Sequence, residues 1–225
     1  TKLWVGDYVN GETFEELGQR ATGIERIAVM RADVDNLGQA FVRGFENEKN
    51  GSKYVTLSRT ATFSRKLSMF FKYHINSLLK EGGYSILEEE AQMEKEDDRR
   101  NALIVYSGGD DIFIVGAWDD IIGFAVDLHD NLMEYSQDTL KISAGIGIYP
   151  SKYPISIMAR ETGRLEEAAK SVEGKNAVAL FDEKYTFPWE EFIENVVEEK
   201  LYFIQKYFKV VDEKGKNFLY NLLEL

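Results

Sequence analysis

The feature that most constrains the fold is a five-residue connection, residues 107–111 (Ser-Gly-Gly-Asp-Asp), between two short apolar segments. These segments, residues 102–106 and 112–117, are each long enough for one β-strand. A short, glycine-containing link between two such strands is typical of a β-hairpin. The sequence therefore predicts an antiparallel strand pair that carries two adjacent carboxylates at its turn.

Helical and strand periodicities place this hairpin inside a longer alternating pattern. The order is β-α-β-β-α-β followed by a further helix and strand, which predicts an α+β fold of the ferredoxin-like type. This is the palm sheet that polymerases and nucleotidyl cyclases use, here with an added helix and strand, although the fold by itself does not set function. The predicted strands are residues 24–32, 102–106, 112–117, 141–149 and 177–181, and the predicted helices are residues 56–80, 118–136 and 155–172.

The same pattern divides the chain into three parts. Residues 1–23 are polar and are interpreted as a lead-in from an upstream domain, which agrees with a first residue that is not methionine. Residues 24–185 form the predicted palm domain. Residues 186–225 contain two amphipathic segments, 189–208 and 217–225, and are interpreted as a short helical appendage that begins a further domain.

A second acidic motif lies at the end of the first predicted strand, in residues 33–38 (Asp-Val-Asp-Asn-Leu-Gly). In a β-α-β-β sheet the first strand lies beside the strand that follows the hairpin, so we expect Asp33 to lie close to Asp110 and Asp111. Three carboxylates this close repel one another unless a cation lies between them. Carboxylate oxygens are preferred ligands of Mg²⁺ and Mn²⁺, so the sequence predicts a divalent-metal site at these three residues.

Other residues near these motifs have the properties of a phosphate site. Gly108 and Gly109 lack Cβ atoms, which permits a tight turn and a close approach of a nucleotide to the backbone. We expect exposed N–H groups in residues 34–37 to bind phosphate oxygens, and Lys170 and Lys175 to supply positive charge to a triphosphate. Each motif taken alone also has an ordinary structural interpretation, as a hairpin turn, an Asx turn or a helix C-terminus. Their combination at matching ends of neighbouring strands favours a functional site.

Composition excludes several other kinds of site. The absence of cysteine excludes disulfides, cysteine-ligated zinc and thiol nucleophiles, and fits a reducing, cytoplasmic environment. The two histidines, His74 and His129, fall on apolar helical stripes and are predicted to be packed side chains rather than metal ligands. The net charge of -12 argues against a broad basic surface for nucleic acid and favours carboxylates that bind hard cations. The apolar runs are too short to span a membrane.

Three motifs together resemble the second palm domain of the Cas10 family, in its Csm1 form. The likeness covers residues 1–185, and the remainder is similar to the start of the family's C-terminal helical domain. The resemblance implies a metal-dependent nucleotidyltransferase that converts ATP into 3′–5′ cyclic oligoadenylate, with Mg²⁺ or Mn²⁺ as cofactor. The motifs are Asp33-Val34-Asp35-Asn36-Leu37-Gly38, Ser107-Gly108-Gly109-Asp110-Asp111, and Ala169-Lys170 with Gly174-Lys175-Asn176.

The resemblance also implies roles for individual residues. Asp33, Asp110 and Asp111 match the family's metal ligands, and Asp110 and Asp111 are the expected catalytic pair. No side chain stands out as a general base, so the resemblance implies attack by a metal-bound 3′-hydroxyl of one ATP on the α-phosphorus of another. The remaining matches imply contacts to ATP from Ser107, Gly108, Gly109, Val34, Asp35, Asn36, Leu37, Lys170 and Lys175.

Members of this family act within a type III-A CRISPR antiviral complex, so the resemblance implies several partners. These are Csm4-like and Csm2-like subunits, and crRNA and target RNA held through the complex, with target RNA as the activator; no membrane is implied. The family also has an HD nuclease domain and a first palm domain, for which these 225 residues show no motif. We therefore expect the chain by itself to bind one nucleotide weakly and to make no product.

Two other functions are compatible with the same motifs. A diguanylate cyclase would carry Gly-Gly-Asp/Glu-Glu-Phe at the hairpin, whereas here Ile112 follows two adjacent aspartates, which argues against that enzyme. Alternatively, the palm is a scaffold for assembly of the CRISPR complex and its acidic turns are inert. Product analysis with ATP and GTP separates the two cyclases, and removal of Asp110 and Asp111 separates catalysis from scaffolding.

Overall fold

A computed structural model describes residues 6–11, 13–44, 55–87 and 99–210. The chain forms two compact units, Thr1–Pro188 and Trp189–Leu225. The first contains a six-stranded sheet with helices, and the second is helical in its described part. The predicted α+β class is confirmed.

One mixed sheet organises the first unit. Its strands are β1 (Ile27–Val34), β2 (Ala102–Gly108), β3 (Asp111–Ala117), β4 (Ile142–Tyr149), β5 (Ala177–Leu180) and β6 (Thr186–Pro188). Their spatial order is β2-β3-β1-β4-β5-β6, and the first four pair antiparallel in the ferredoxin-like order. β5 pairs parallel with β4, and β6 pairs antiparallel with β5, so these two strands extend the predicted palm sheet.

Helices cover both faces of this sheet. They are α1 (Phe14–Gln19), α2 (Leu37–Arg43), α3 (Leu57–Met69), α4 (Ile75–Glu81), α5 (Trp118–Ser136) and α6 (Ile155–Ser171), and a π-helical segment, Phe70–His74, joins α3 to α4. The connection from β1 to β2 runs through α3 and α4, and α4 packs against α5 on one face of the sheet. α1 and α6 pack on the opposite face, where Leu17 and Met158 share a core with Val29 and Val115.

The central strand β1 is buried because both of its faces are covered. Residues 27–30 are fully buried, without the alternation of a strand that has one face in water. On the neighbouring strand, Gly145 allows α6 to approach the sheet closely. A Cβ atom at Gly145 would collide with the backbone nitrogen of Glu166 and with the side chain of Leu165. This glycine therefore sets how near α6 lies to the end of β1.

Several strand boundaries differ from the predicted ones, and the difference affects the site. β1 continues to Val34 rather than ending at residue 32, and the hairpin strands reach Gly108 and Asp111. Asp33 and Asp111 are therefore strand residues, and the turn between the hairpin strands is formed by residues 109–110. Pairing with a neighbouring strand carries these segments beyond their apolar stretches, which periodicity along one segment cannot show.

Some elements were not predicted. The short helix α2 begins directly after the first acidic turn, and β6 is a strand of only three residues that is held by its pairing with β5. The long helix predicted at residues 56–80 is interrupted by its π-helical segment, a feature that often accompanies functional sites. The amphipathic segment predicted at residues 217–225 lies outside the described residues.

Residues 6–11 of the predicted lead-in run beside the outer strand β2. The N–H of Asn10 donates to the carbonyl of Ala102 at 2.8 Å, and the N–H of Ile104 donates to the carbonyl of Tyr8 at 2.9 Å. These hydrogen bonds satisfy backbone groups of β2 along this stretch of its outer edge. The lead-in therefore contributes to the sheet itself.

The second unit is described as far as residue 210. Its described part consists of α7 (Trp189–Glu191), a second π-helical segment (Phe192–Leu201) and α8 (Tyr202–Val210). The rings of Trp189 and Phe192 meet edge to face, with centroids 6.0 Å apart. Among the residues that the structure describes in both units, no helix is both long enough and apolar enough to cross a membrane.

Candidate active site

The two acidic motifs meet at one end of the sheet. Asp33 on β1 is the direct Cα partner of Asp111 on β3, and the N–H of Val34 donates to the carbonyl of Asp110 at 3.0 Å. Side chains of directly paired residues on antiparallel strands project from the same face. The expected juxtaposition of Asp33 with the hairpin carboxylates is therefore present.

Charges at this end of the sheet shift the pKa values of neighbouring side chains. Burial raises the pKa of Asp110, and the negative charges of Asp33 and Asp111 raise it further, while Lys170 partly offsets them. The pKa of Tyr106 is also raised, first by the charge of Asp111 and then by burial. The carboxylates are thus close enough to repel one another, which is the condition under which a bound cation becomes favourable.

Lys170, in the last turn of α6, already brings one positive charge to this site. Its ammonium forms an ion pair with Asp33 Oδ2 and a second with Glu166 Oε1, the latter at 2.6 Å. Burial lowers the pKa of Lys170, but hydrogen bonds and the charges of Asp33 and Glu166 raise it above its ordinary value, so the ammonium stays charged. Lys170 therefore lies at the acidic site, with carboxylates as its partners in this structure.

Glu166 is a site residue that the sequence reasoning missed. Its side chain is 10% exposed, and its second oxygen, Oε2, forms an ion pair with Arg31 Nε at 3.1 Å. Arg31, Glu166, Lys170 and Asp33 form a chain of alternating charge between β1 and α6. The i,i+4 spacing of Glu166 and Lys170 was the available signal, but such pairs are common on ordinary helix surfaces.

The carboxylates of Asp33, Asp110 and Asp111 are of the chemical type that binds divalent cations, although they do not point to one common position. Within the described ranges, no group of three or more His, Cys, Asp or Glu side chains is arranged to hold a metal ion, and Asp33 is paired with Lys170. Asp33, Asp110 and Asp111 are nevertheless hard oxygen donors of the type that Mg²⁺ and Mn²⁺ prefer. These three residues would hold a metal once their carboxylates turn to a common point.

We expect Asp110→Asn to stabilise the metal-free fold. Because the pKa of Asp110 is raised in the folded state, ionisation of this side chain favours unfolding; this cost is absent well below the ordinary value of 3.8 and complete once the pH exceeds the folded value. The variant should melt about 1–3 °C above the wild type at pH 7, and at the same temperature near pH 3. Thermal unfolding in EDTA at the two pH values measures this. A lower melting temperature at pH 7 would contradict the repulsion.

Asp35 connects the first acidic motif to the loop that carries Lys175. Its side chain is buried, and Oδ2 accepts hydrogen bonds from Ser143 Oγ and from the N–H of Asn176, each at 2.9 Å. Gly174, Lys175 and Asn176 all have positive φ, so the loop turns sharply at this point. Asp35 is therefore an anchor that brings the Lys175 loop to the end of β1.

Some of the backbone N–H groups that were predicted to bind phosphate already donate hydrogen bonds to backbone carbonyls. The N–H of Val34 donates to a hairpin carbonyl, and the N–H of Asp35 donates to the carbonyl of Lys141 at 2.8 Å. The expectation of exposed N–H groups is therefore wrong at these two positions, because backbone pairing continues past the end of the apolar segment. Contacts from Asn36 and Leu37, at the start of α2, stay predictions.

Ser107 does not face the acidic site. Its side chain is buried, and its hydroxyl donates to the carbonyl of Phe71 in the π-helical segment. In the hairpin register Ser107 pairs with Ile112 whereas Gly108 pairs with Asp111, so Ser107 projects from the other face of the sheet. The prediction that Ser107 lines a nucleotide pocket is contradicted, since its hydroxyl instead ties the hairpin to the helical layer.

The two glycines of the hairpin have different surroundings. A Cβ atom at Gly108 would collide with the hydroxyl of Tyr106, an exposed residue beside Asp111. A Cβ atom at Gly109 would meet no described atom within 4 Å. Gly109 thus leaves the backbone open to a ligand, while Gly108 makes room for Tyr106. The sequence reasoning missed Tyr106, because a β-bulge between Ile104 and Tyr106 changes the alternation of the strand.

Both histidines are packed, as predicted. His129 is 9% exposed, and its Nδ1 lies 2.8 Å from Asp130 Oδ1. The ring of His74 lies 5.4 Å from that of Phe70 and 6.3 Å from that of Tyr135. These surroundings are those of side chains in a helical layer.

A family model covers the part of the chain that forms the site. Residues 26–179 match the model described as Cas10/Cmr2, second palm domain. The matched range includes β1, the hairpin and α6, and with them Asp33, Asp110, Asp111 and Lys170.

Curated relatives match over the whole chain. The chain is 52% identical over 228 residues to the CRISPR system single-strand-specific deoxyribonuclease Cas10/Csm1 (subtype III-A) of Mycobacterium tuberculosis, covering 100% of this chain and 27% of the relative. It is 44% identical over 229 residues to the protein of the same name from Streptococcus thermophilus, covering 100% and 28%. The chain thus spans about a quarter of the length of these relatives.

Solved structures share the fold. A Csm1-Csm4 cassette in complex with AMPPNP matches with a TM-score of 0.76 at 28% identity, covering 99% of this chain and 32% of that chain. A Csm1-Csm4 cassette in complex with cA4 matches with a TM-score of 0.76 at 27% identity and the same coverage. With its family match and its relatives in agreement, the chain belongs to the Cas10 family and contains the second palm domain of a Csm1-type, subtype III-A member.

Proposed function

We propose that this domain is the catalytic palm of a metal-dependent nucleotidyltransferase, which makes 3′–5′ cyclic oligoadenylate from ATP within a type III-A CRISPR complex activated by target RNA. The observation that carries the proposal is the pairing of Asp33 with Asp111, which brings three carboxylates to one end of the sheet. Beside them lie the open backbone at Gly109 and the ammonium of Lys170. Hard donors, positive charge and accessible backbone are what a metal-bound triphosphate requires.

In the proposed reaction, the 3′-hydroxyl of one ATP loses its proton to solvent and its oxygen attacks the α-phosphorus of another ATP. The bond from that phosphorus to the oxygen that bridges the α- and β-phosphates breaks, and pyrophosphate leaves. Asp33, Asp110 and Asp111 would hold the divalent ions, which supply Lewis acidity at the attacking and leaving oxygens when bound. Lys170 and Lys175 would place positive charge against the triphosphate, where negative charge develops on the leaving group. Gly109 would admit the phosphates close to the hairpin backbone.

Similar structures support the choice of nucleotide and of one protein partner. Csm1-Csm4 cassettes have been solved in complex with AMPPNP, with pppApA and with cA4. We therefore assign ATP as substrate and a Csm4-like subunit as partner, while a Csm2-like subunit, crRNA and target RNA follow from the family resemblance. Because the chain spans about a third of those structures, activity is expected of the assembled complex.

The direct test offers ATP and GTP separately to the full-length protein in its complex, with target RNA and Mn²⁺, and identifies the products by mass spectrometry. We expect cyclic oligoadenylate from ATP and no cyclic product from GTP. Cyclic diguanylate from GTP would favour a diguanylate cyclase. An assembled complex that binds target RNA but yields no product from either nucleotide would support the scaffold function.

A further inference from the structure

The ammonium of Lys170 is shared between two carboxylates, those of Asp33 and Glu166. We propose that Lys170 is an exchangeable counter-ion, which holds Asp33 until a divalent cation takes its place and then turns to the nucleotide phosphates. Glu166 is the positioning residue that retains the ammonium during this exchange. The inference rests on the proposed function, since it concerns the same metal and nucleotide, and it adds a competition between Lys170 and the metal for Asp33.

The geometry at Glu166 permits this exchange because its two oxygens have different partners. Oε1 contacts Lys170 Nζ at 2.6 Å, and Oε2 contacts Arg31 Nε at 3.1 Å. When Lys170 leaves Asp33, Glu166 still compensates the ammonium. When Lys170 moves further toward phosphate, Arg31 still compensates the buried Glu166. Neither step leaves a buried charge without a partner, the situation that makes removal of one member of a buried ion pair costly.

The exposure and charge of the pair favour displacement by a divalent ion. The side chains of Lys170 and Asp33 are each 28% exposed, so water reaches the pair and weakens it relative to a fully buried one. The ammonium is paired with Asp33 and only partly offsets the charges at Asp110, which lies within repulsive reach of both Asp33 and Asp111. A doubly charged ion interacts with all three carboxylates, and Coulomb attraction grows in proportion to its charge.

The competition predicts opposite effects of one substitution on two ligands. Lys170→Met keeps the length of the side chain but removes the ammonium, so Asp33 becomes available to metal. In the full-length protein without nucleotide, we expect Mn²⁺ to bind about fivefold more tightly, as measured from the free-ion signal in electron paramagnetic resonance. With Mn²⁺ held saturating, a non-hydrolysable ATP analogue should bind about tenfold more weakly, because the ammonium no longer reaches the phosphates.

A matched control separates local competition from net charge. Lys152→Met also removes one positive charge, but Lys152 is 83% exposed and forms an ion pair with Glu15. Lys152 precedes the N-terminus of α6, about 25 Å along the helix from Lys170. It should change neither affinity by more than about 1.5-fold, because charges beyond a Debye length are screened. Thermal unfolding of each variant establishes that the fold is retained.

The role of Glu166 is tested against its neighbour Glu167, which is exposed on the same helix. Glu166→Gln should weaken Mn²⁺ binding about fivefold, because Lys170 then relies on Asp33 alone, whereas Glu167→Gln should change it by less than about 1.5-fold. In a Lys170→Met background, the effect of Glu166→Gln should shrink toward that of Glu167→Gln. Additive effects of the two changes would overturn the positioning role.

The outcomes separate this inference from the proposed function. If Asp33→Asn and Asp110→Asn leave Mn²⁺ binding unchanged, the proposed metal site itself is wrong. If those changes abolish Mn²⁺ binding but Lys170→Met leaves it unchanged or weakens it, the metal site stands and the exchange is refuted. Tighter Mn²⁺ binding together with unchanged affinity for the analogue would overturn the transfer of Lys170 to phosphate.

Discussion

Replacing both Asp110 and Asp111 with Asn is expected to reduce conversion of ATP by about a thousandfold or more, while the protein still folds and assembles. Asp110 lies in the hairpin turn and Asp111 begins β3, where it pairs with Asp33. The amide side chains keep the shape but lose the charge that holds a divalent ion. Product formation by the full-length complex with ATP, Mn²⁺ and target RNA measures the loss. Assembly and target-RNA binding, measured on the same sample, show that the complex is intact.

The control for this double variant removes the same number of charges elsewhere. Glu190 and Glu194 are exposed in the second unit, and Glu190→Gln with Glu194→Gln should leave product formation within about twofold of the wild type. Product from the Asp110/Asp111 variant at more than about a tenth of the wild-type rate would exclude these carboxylates as metal ligands, and would favour the scaffold function for the palm.

Gly145→Val is expected to have the largest effect on stability among single changes near the site. The position is buried in β4, and a Cβ atom there would collide with the backbone of Glu166 and the carbonyl of Thr162, which are parts of α6 that cannot move alone. Moving the helix off the sheet should lower the free energy of unfolding by about 3 kcal/mol. Chemical denaturation of the full-length protein, monitored by a signal that reports the unfolding of this domain, measures the loss of unfolding free energy.

The same substitution should also separate Lys170 from Asp33, because both Glu166 and Lys170 are carried by α6. A glycine in open surroundings provides the comparison. Gly38 has no described atom within 4 Å of its Cβ position, so Gly38→Ala should change stability by no more than about 0.5 kcal/mol. If the two variants unfold at similar denaturant concentrations, close packing of α6 on β4 does not position the site.

The meeting of the two acidic motifs at one end of the sheet could be predicted without coordinates. Strand order follows from the alternation of apolar segments, and β-α-β-β topology requires the first strand to lie beside the strand after the hairpin. That rule was sufficient to place Asp33 next to Asp111, which the register confirms. The packed state of His74 and His129 also followed from their positions on apolar helical stripes.

The direction of individual side chains could not be predicted in the same way. Ser107 and Gly108 are adjacent in the hairpin motif, yet one faces the helical layer and the other faces Asp111, because a shift of one residue along a strand reverses its face. The bulge near Tyr106 changes this alternation once more. A motif therefore shows that residues are near a site, but not which of them face it.

The sequence alone thus determined which residue types are present, the order of the strands and the end of the sheet at which the acidic turns meet, because these depend on local periodicity and on general rules of chain connection. Only the tertiary structure decided that Lys170 is paired with Asp33, 137 positions away, and that Glu166 and Arg31 complete the chain of charge. Those ion pairs depend on how closely α6 packs on the sheet at Gly145. This contact joins two distant segments, and the periodicity of neither segment alone predicts it.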